Sequence, residues 1–399
     1  MKQMNNRSSV ISAIHIALIT VITSTPVFLI GASNNLIRQD INISTSEIGI
    51  ILTLYWLGSL LGAFMSRKAT IFSSINKQIS FSIFITAVSL SLIFFHPKIG
   101  LWIGGILGGT AYGYSQPYTN YLIMRTCDQK IQGFAFGLKQ AAIPTATLLC
   151  SLAVPILAVP FGWRSLFGMI TCVAFIYGGL TLIFSRNIHF TKKANSNPIP
   201  PLSPNIHLIM LGVVGGLGAM IGNSLGGFLI ASLTFGGISL VTASLIAAFA
   251  SITNIVVRIS AGIITDHSNY SPSKLLIFMF MVGVLGTLFL TTSSYFLLLI
   301  GSILAFGGGW GWAGLLHYIT SIAYPEYEGQ ATAFSQMGVS FGAALGPLLF
   351  GILFSTVGPS TAWAIMSLAG AIAIIIMLIS QKFIPDNKNP KNLTQKLPS

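Results

Sequence analysis

The chain has 399 residues, 53% of them hydrophobic and only 7% charged, with a formal net charge of +13 and a mean hydropathy of +0.81. A soluble domain carries roughly 25% charged residues, so this chain cannot cover itself with a polar surface, and its solvent is lipid. The positive charge lies mostly in short polar segments between apolar runs, which argues against nucleic-acid binding and matches the Lys and Arg excess of cytoplasmic loops.

Twelve apolar segments, each near the roughly 20 residues needed to cross hydrocarbon, are predicted at about 10–32, 46–66, 78–95, 99–124, 133–158, 163–185, 206–233, 238–263, 273–293, 295–322, 330–356 and 360–381. The first follows a basic N-terminus and has no small-residue cleavage site before Pro26, so it reads as a retained span and not a signal peptide. The longest polar stretch, 186–205, is rich in Pro, Asn and Lys and reads as an exposed linker. From Lys382 onward the chain reads as a polar tail. The expected domains are an N-terminal six-helix bundle (1–185), a cytoplasmic linker (186–205), a C-terminal six-helix bundle (206–381) and a cytoplasmic tail (382–399). With both termini placed in the cytoplasm, the inner segments hold fifteen Lys and Arg residues and the outer segments three, Arg38, Lys98 and Arg164. That asymmetry predicts a multi-pass membrane protein with both ends inside, and the high Ile, Asn and Lys content fits a bacterial inner membrane. Cys127, Cys150 and Cys172 show no metal-ligating or CxxC spacing; the last two fall in apolar runs and are expected to be packing residues.

One stretch occurs twice. Residues 133–145 (GFAFGLKQAAIPT) and 329–341 (GQATAFSQMGVSF) align Gly133 with Gly329, Ala135 with Ala331 and Gln140 with Gln336. The same shift, 329 minus 133 or 196 positions, pairs Gly105 with Gly301, Gly113 with Gly309 and Gly162 with Gly358; nearer the N-terminus the shift is 200, pairing Phe28 with Phe228 and Gly62 with Gly262. Coherence at nearly one offset implies two homologous halves of about 200 residues, a repeat large enough to set the fold.

Two six-span halves with a linker resemble the major facilitator superfamily, and local stretches carry the same resemblance. Gly262-Ile263-Ile264-Thr265-Asp266 resembles the family's loop signature, a Gly followed four residues later by Asp. Its counterpart, Gly62-Ala63-Phe64-Met65-Ser66-Arg67-Lys68, has Ser66 where the family usually has Asp. Phe161-Gly162-Trp163-Arg164 and Gly346-Pro347 resemble the family too. The resemblance implies an all-α integral membrane fold of twelve transmembrane helices, in two six-helix pseudo-symmetric bundles around a central cavity. It implies a rocking motion that exposes one substrate site to each side in turn, with Arg67 and Asp266 in gating positions.

Ionisable residues inside a membrane are costly and are the first functional candidates. All seven acids (Asp40, Glu47, Asp128, Asp266, Glu326, Glu328, Asp386) fall near span ends or outside spans. Two cations lie within spans. Arg258, eight residues before Asp266, is expected about 12 Å up the helix; its planar fork suits a carboxylate or phosphate, against the alternative that it snorkels to the headgroups. Lys139 carries the same pair of readings, and its repeat mate is Ser335. Gln140 and Gln336 are expected to face the bundle interior, binding substrate or bridging helices. Asn254, four residues before Arg258 on the same face, is placed to orient the guanidinium. Tyr114 and Gln116 in span 4, Asn223 in span 7, and Trp310 and His317 in span 10 complete the candidate substrate-binding set. No cofactor and no metal site are expected, and no nucleophile–base pair argues for an enzyme.

The sequence therefore predicts a secondary active or facilitative transporter of small organic solutes, organic anions (carboxylates) favoured, working by alternating access as a symporter or antiporter. The expected partners are a small-molecule substrate, a coupling proton or ion and the lipid bilayer, with the protein acting as a monomer. The alternatives are a multidrug or metabolite exporter with an aromatic cavity, and a transporter-like sensor that binds without moving its ligand.

Overall fold

The computed structural model describes residues 6–68, 74–128, 132–184, 202–267, 271–325 and 327–384, and among them every regular element is helical. In the first half these are α1 (Asn6–Ala32), α2 (Asn34–Ile41), α3 (Thr45–Lys68), α4 (Ile75–Phe95) and α5 (Pro97–Thr126), then α6 (Gln132–Ala153), which passes through a π-helical turn into the short α7 (Val159–Phe161), and α8 (Trp163–Phe184). The second half has α9 (Ile206–Phe235), α10 (Leu240–His267), α11 (Pro272–Phe289) and α12 (Tyr295–Leu304). A second π-helical turn, Ala305–Gly309, leads on to α13 (Ala313–Ala323), followed by α14 (Glu328–Val357) and α15 (Pro359–Ser380).

Eleven helical stretches among the described residues are long and apolar enough to cross a membrane. The expected fourth span falls within α5, which has the length, 30 residues, but is not among the eleven. Its glycines (Gly100, Gly104, Gly105, Gly108, Gly109, Gly113) and the polar run from Tyr112 to Asn120 dilute its hydropathy. The amphipathic α2, with Ile37 and Ile41 buried, was not foreseen. Much of the expected linker lies in 185–201, outside the described residues, as does most of the expected tail.

The repeat is visible in the backbone. Helix α8 starts at Trp163 and α15 at Pro359, the 196-residue offset again (359 minus 163). Each is preceded by a glycine in the left-handed region, Gly162 at φ 81° and Gly358 at φ 90°. Only glycine reaches that conformation without strain, so the same tight turn ends the fifth span and its repeat partner.

Within the first half α1 packs on α5 and α6, α3 on α5, and α4 on α5 and α8; in the second half α9 packs on α14 and α15, and α11 on α15. Helices α1 and α9 are central, with 83% and 72% of their apolar windows buried against 28% for α8. The halves meet along α3–α14, α6–α10 and α1–α9.

These inter-half contacts have a direction. Numbering sides by where α1 begins, the N-terminal side holds the starts of α1 and α4 and the ends of α3 and α5. At the opposite side Thr53 Oγ1 donates to Ala344 O at 2.8 Å, Ser46 Oγ to Gly351 O at 3.3 Å, and Asn34 Nδ2 to Gly227 O at 3.3 Å; Asn35 pairs with Thr234. A Cβ at Gly49 would lie 2.5 Å from Pro347 O, so the backbones of α3 and α14 touch there. Following the same helix faces at spacings of three and four residues gives a different picture toward the N-terminal side. Leu57, Leu60 and Phe64 of α3 and Phe341 and Met337 of α14 are all exposed. The two halves are joined at the opposite side and splay apart toward the N-terminal side.

Candidate functional site

The polar cluster of the splayed region centres on Arg258 of α10, half-buried beside the fully buried Asn254. Its Nε donates to Asn254 Oδ1 at 2.8 Å, Nη2 to Trp310 O at 2.8 Å, and Nη1 crosses between the halves to Gln140 O of α6 at 3.1 Å. Asn254 is itself fixed, donating Nδ2 to Phe306 O at 2.6 Å. Both Phe306 and Trp310 belong to the π-helical break between α12 and α13 or flank it. The break frees carbonyls that an unbroken helix would use internally, and two of them face α10. Arg258 therefore does not snorkel to a membrane face: it is held by three neutral oxygens. A guanidinium has five N–H donors, and these bonds occupy three, leaving one N–H on each of Nη1 and Nη2.

Lys139, the second cation, is buried at 5% exposure. Its Nζ donates to Gln116 O at 3.3 Å and bonds Asn120 Oδ1. The lysine is thus turned into the first bundle against α5, and the snorkelling alternative does not hold for it. The one ion pair between described residues is Arg164–Asp40, at the opposite surface. Neither interior cation has a carboxylate partner there.

Aromatic side chains surround this level. Trp310 packs on Phe28 with ring centroids 5.6 Å apart and on Phe306 at 5.3 Å. It fits because α9 has glycine there: a Cβ at Gly222 would lie 2.5 Å from Trp310 Nε1 and 2.6 Å from Cγ. Across the gap, Trp56 of α3 stands edge-on to Tyr55 at 5.3 Å and to Tyr112 at 5.8 Å. Tyr112 lies within electrostatic reach of Arg258. Sequence reasoning passed over Tyr55, Trp56 and Phe28 as lining residues, because an aromatic in an apolar helix carries no mark of the face it occupies; Tyr112 lies in the polar-aromatic run of span 4 that the sequence marks as able to line a cavity.

The remaining sequence candidates divide. Gln140 contributes its carbonyl to Arg258, while its side chain makes no hydrogen bond among the described residues. Asn223 is buried and donates to Ala219 O of its own helix at 2.9 Å, next to Gly222 and the Trp310 ring. Gln116 reaches Tyr112 O at 3.4 Å and stands beside Lys139. Tyr114 lies elsewhere: it is 1% exposed, bonds Gln78 on α4 and packs on Phe81, in the core of the first half and away from the gap. Gln336 is exposed; instead of bridging buried helices it reaches Ser340 Oγ of its own helix at 3.5 Å. Its amide lies beside the ring of His317, whose Nδ1 has no partner. The side chains of Arg67 and Asp266 lie outside the described residues. Of the cysteines, Cys150 is buried as expected, but Cys172 is exposed on α8, the least buried span, and so packs against no core.

The sequence matches the Major Facilitator Superfamily over residues 16–206 and 233–397, and the chain belongs to that family. It is a multi-pass membrane protein with a family and fold of transporters, not of enzymes. Among solved structures it is similar to a D-xylose-proton symporter, with 15% identity over 96% of this chain and 99% of that one and a TM-score of 0.76. It is also similar to the nucleoside transporter NupG, with 13% identity over 92% and 99% and a TM-score of 0.73. A third is a bacterial homologue of the human lysosomal transporter Spinster in an inward-facing, unoccupied conformation, with 14% identity over 96% and 97% and a TM-score of 0.68. At these identities the likeness is one of fold. No curated protein matches the sequence.

Proposed function

We propose that the protein is a secondary active or facilitative transporter of small organic anions, carboxylates foremost, that works by alternating access between its two bundles. One observation carries this reading: Arg258, half-buried at the junction of the halves, is hydrogen-bonded to three neutral oxygens and keeps two N–H groups unclaimed. A buried charge is costly unless paired. The interior of the described protein holds two cations and no carboxylate beside them, so an anionic substrate is the missing counter-charge. One N–H on each terminal nitrogen matches the two oxygens of a carboxylate. Because Arg258 also holds Gln140 O of the other half, an anion that competes for its donors alters a bond between bundles. Ligand binding and rocking are thereby linked through one side chain.

On this reading the bundles are residues 1–185 and 206–381, the linker 186–205 and the tail 382–399 are cytoplasmic, and the gap opens to the cytoplasm of a bacterial inner-membrane protein. Arg67 and Asp266 gate that side, and the substrate set is Arg258, Lys139, Gln140, Asn254, Asn223, Gln116, Trp310 and His317. A coupling proton would use His317, whose buried Nδ1 has no partner among the described residues and which lies beside the Gln336 amide. The aromatic rings favour a second reading, an exporter of lipophilic compounds; it requires binding that is indifferent to Arg258.

A thermal-shift screen of the detergent-purified protein separates the two, because a ligand specific for a folded state raises its apparent stability by mass action. The panel holds mono-, di- and tricarboxylates, amino acids, sugars and lipophilic drugs, each repeated on Arg258→Gln. Stabilisation by carboxylates in the wild type and not in the variant supports the anion reading. Stabilisation of both by lipophilic compounds alone overturns it.

A further inference from the structure

Resting on that anion reading, we infer that the substrate is aromatic: a small planar aromatic carboxylate bearing a second hydrogen-bond acceptor on its ring. The first ground is the position of Trp56. Thr53 hydrogen-bonds α14, the exposed face of α3 begins at Leu57, and Trp56 lies between them, at the apex of the gap. It is also the residue of α3 that packs both on the central apolar cluster shared by the halves and on a cluster within the second half. Its Nε1 is buried and has no partner. An indole N–H left unpaired in an apolar setting costs free energy comparable to a lost hydrogen bond, and tryptophans in such settings ordinarily find an acceptor.

The second ground is independent of that nitrogen. Trp56 meets Tyr112 edge-on, with an interplanar angle of 86°, and Tyr112 interacts electrostatically with Arg258 from the first half. The Tyr112 hydroxyl makes no hydrogen bond among the described residues, although Tyr55 beside it donates to Thr23 O at 3.0 Å. On the other side of the guanidinium, the residue whose carbonyl holds Nη2 is Trp310. The cation is therefore flanked by an aromatic wall from each half, and two donors other than Arg258, Trp56 Nε1 and Tyr112 Oη, stand free in the first wall. A flat ring entering between such walls would meet them in edge-to-face contacts. Its carboxylate meets Arg258, and an acceptor on its far edge meets the Trp56 N–H. A compact aliphatic acid would satisfy Arg258 and leave both walls and both donors unused.

The test is calorimetric binding to the full-length protein in detergent, with benzoate, 4-hydroxybenzoate, cyclohexanecarboxylate and benzamide as probes. The variants are Arg258→Gln and Trp56→Phe; the latter keeps an aromatic ring but loses the N–H together with part of the indole, so benzoate serves as the control for lost packing. Melting of each variant without ligand establishes that it is folded. The expected result is that both aromatic acids bind about tenfold or more tighter than cyclohexanecarboxylate. Trp56→Phe should then weaken 4-hydroxybenzoate several-fold while changing benzoate little, the split expected of a lost hydrogen bond and not of lost packing. If cyclohexanecarboxylate equals benzoate and both are lost in Arg258→Gln, the aromatic inference fails while the anion reading stands. If Trp56→Phe weakens the two aromatic acids equally, the role given to the N–H is wrong. If benzamide binds as well as benzoate, and Arg258→Gln changes neither, the anion reading itself falls, and the inference with it.

Discussion

The two interior cations are adjacent in the fold, since Lys139 precedes the residue whose carbonyl Arg258 holds, yet they do different things. Lys139 satisfies its ammonium within one bundle, on Gln116 and Asn120 of α5. Arg258 uses its planar fork to hold an asparagine, a carbonyl of a broken helix and a carbonyl of the opposite bundle. The cost of burying a charge is similar for both, so cost alone does not identify a site. What distinguishes Arg258 is that one of its bonds crosses between the halves, the surface along which they would move under the proposed alternating access. A cation bonded within a rigid bundle tunes the local field; a cation bonded across a moving interface couples ligand to motion.

Substitutions can break that comparison. The largest effect is expected from Arg258→Gln, which removes both the charge and the fork. Truncating one partner of a buried charge pair costs roughly 2–5 kcal/mol, so carboxylate affinity should fall about a hundredfold or more by calorimetry. Arg258→Lys should recover only part of this, because a point charge does not replace a fork; full recovery would show that charge alone suffices. Next is Gly222→Val. A side chain there meets Trp310, and overpacking costs about 1–3 kcal/mol, so the unliganded melting temperature should fall, and the site with it as the Trp310 carbonyl moves. Lys139→Gln should change carboxylate affinity only a few-fold. Its bonds stay inside one bundle, and replacing a buried cation by a neutral group can even stabilise; a loss as large as that of Arg258→Gln would erase the distinction drawn above. The smallest effect is expected from Thr53→Val, which deletes one hydrogen bond across the closed end worth about 1 kcal/mol. The population open to the opposite side should rise about fivefold, read as longer distances between spin labels on α3 and α14 at that end.

How far the sequence reached follows from the same physics. The span pattern and the two halves were legible because hydropathy and a 196-residue offset are linear signals, and Gly162 and Gly358 are the backbone trace of that repeat. Span 4 sat at the edge of legibility, since close packing of α5 uses glycine and glycine carries little hydropathy. Arg258 and Lys139 were legible as charges in apolar runs, and Asn254 by its four-residue spacing. The other two partners of Arg258 were not, because they are backbone carbonyls of residues 140 and 310 and a carbonyl has no sequence signature. Tyr114 and Gln336 were named for their polarity in a span, yet Tyr114 turns to Gln78 and Gln336 to Ser340. Polarity shows that a partner is needed and not which helix supplies it. Trp56 escaped notice because the quality that sets it apart, an N–H without an acceptor, exists only after folding.

The central claim is that Arg258 recognises the negative charge of the substrate, and the most direct test is a comparison of two ligands differing in that charge alone. Calorimetric titration of the wild type and of Arg258→Gln with the best-binding carboxylate and its primary amide measures this. The account predicts strong preference for the carboxylate in the wild type and near-equal affinity of the two ligands in the variant. A preference for the carboxylate that survives in Arg258→Gln would contradict it and move the anion-recognising charge elsewhere.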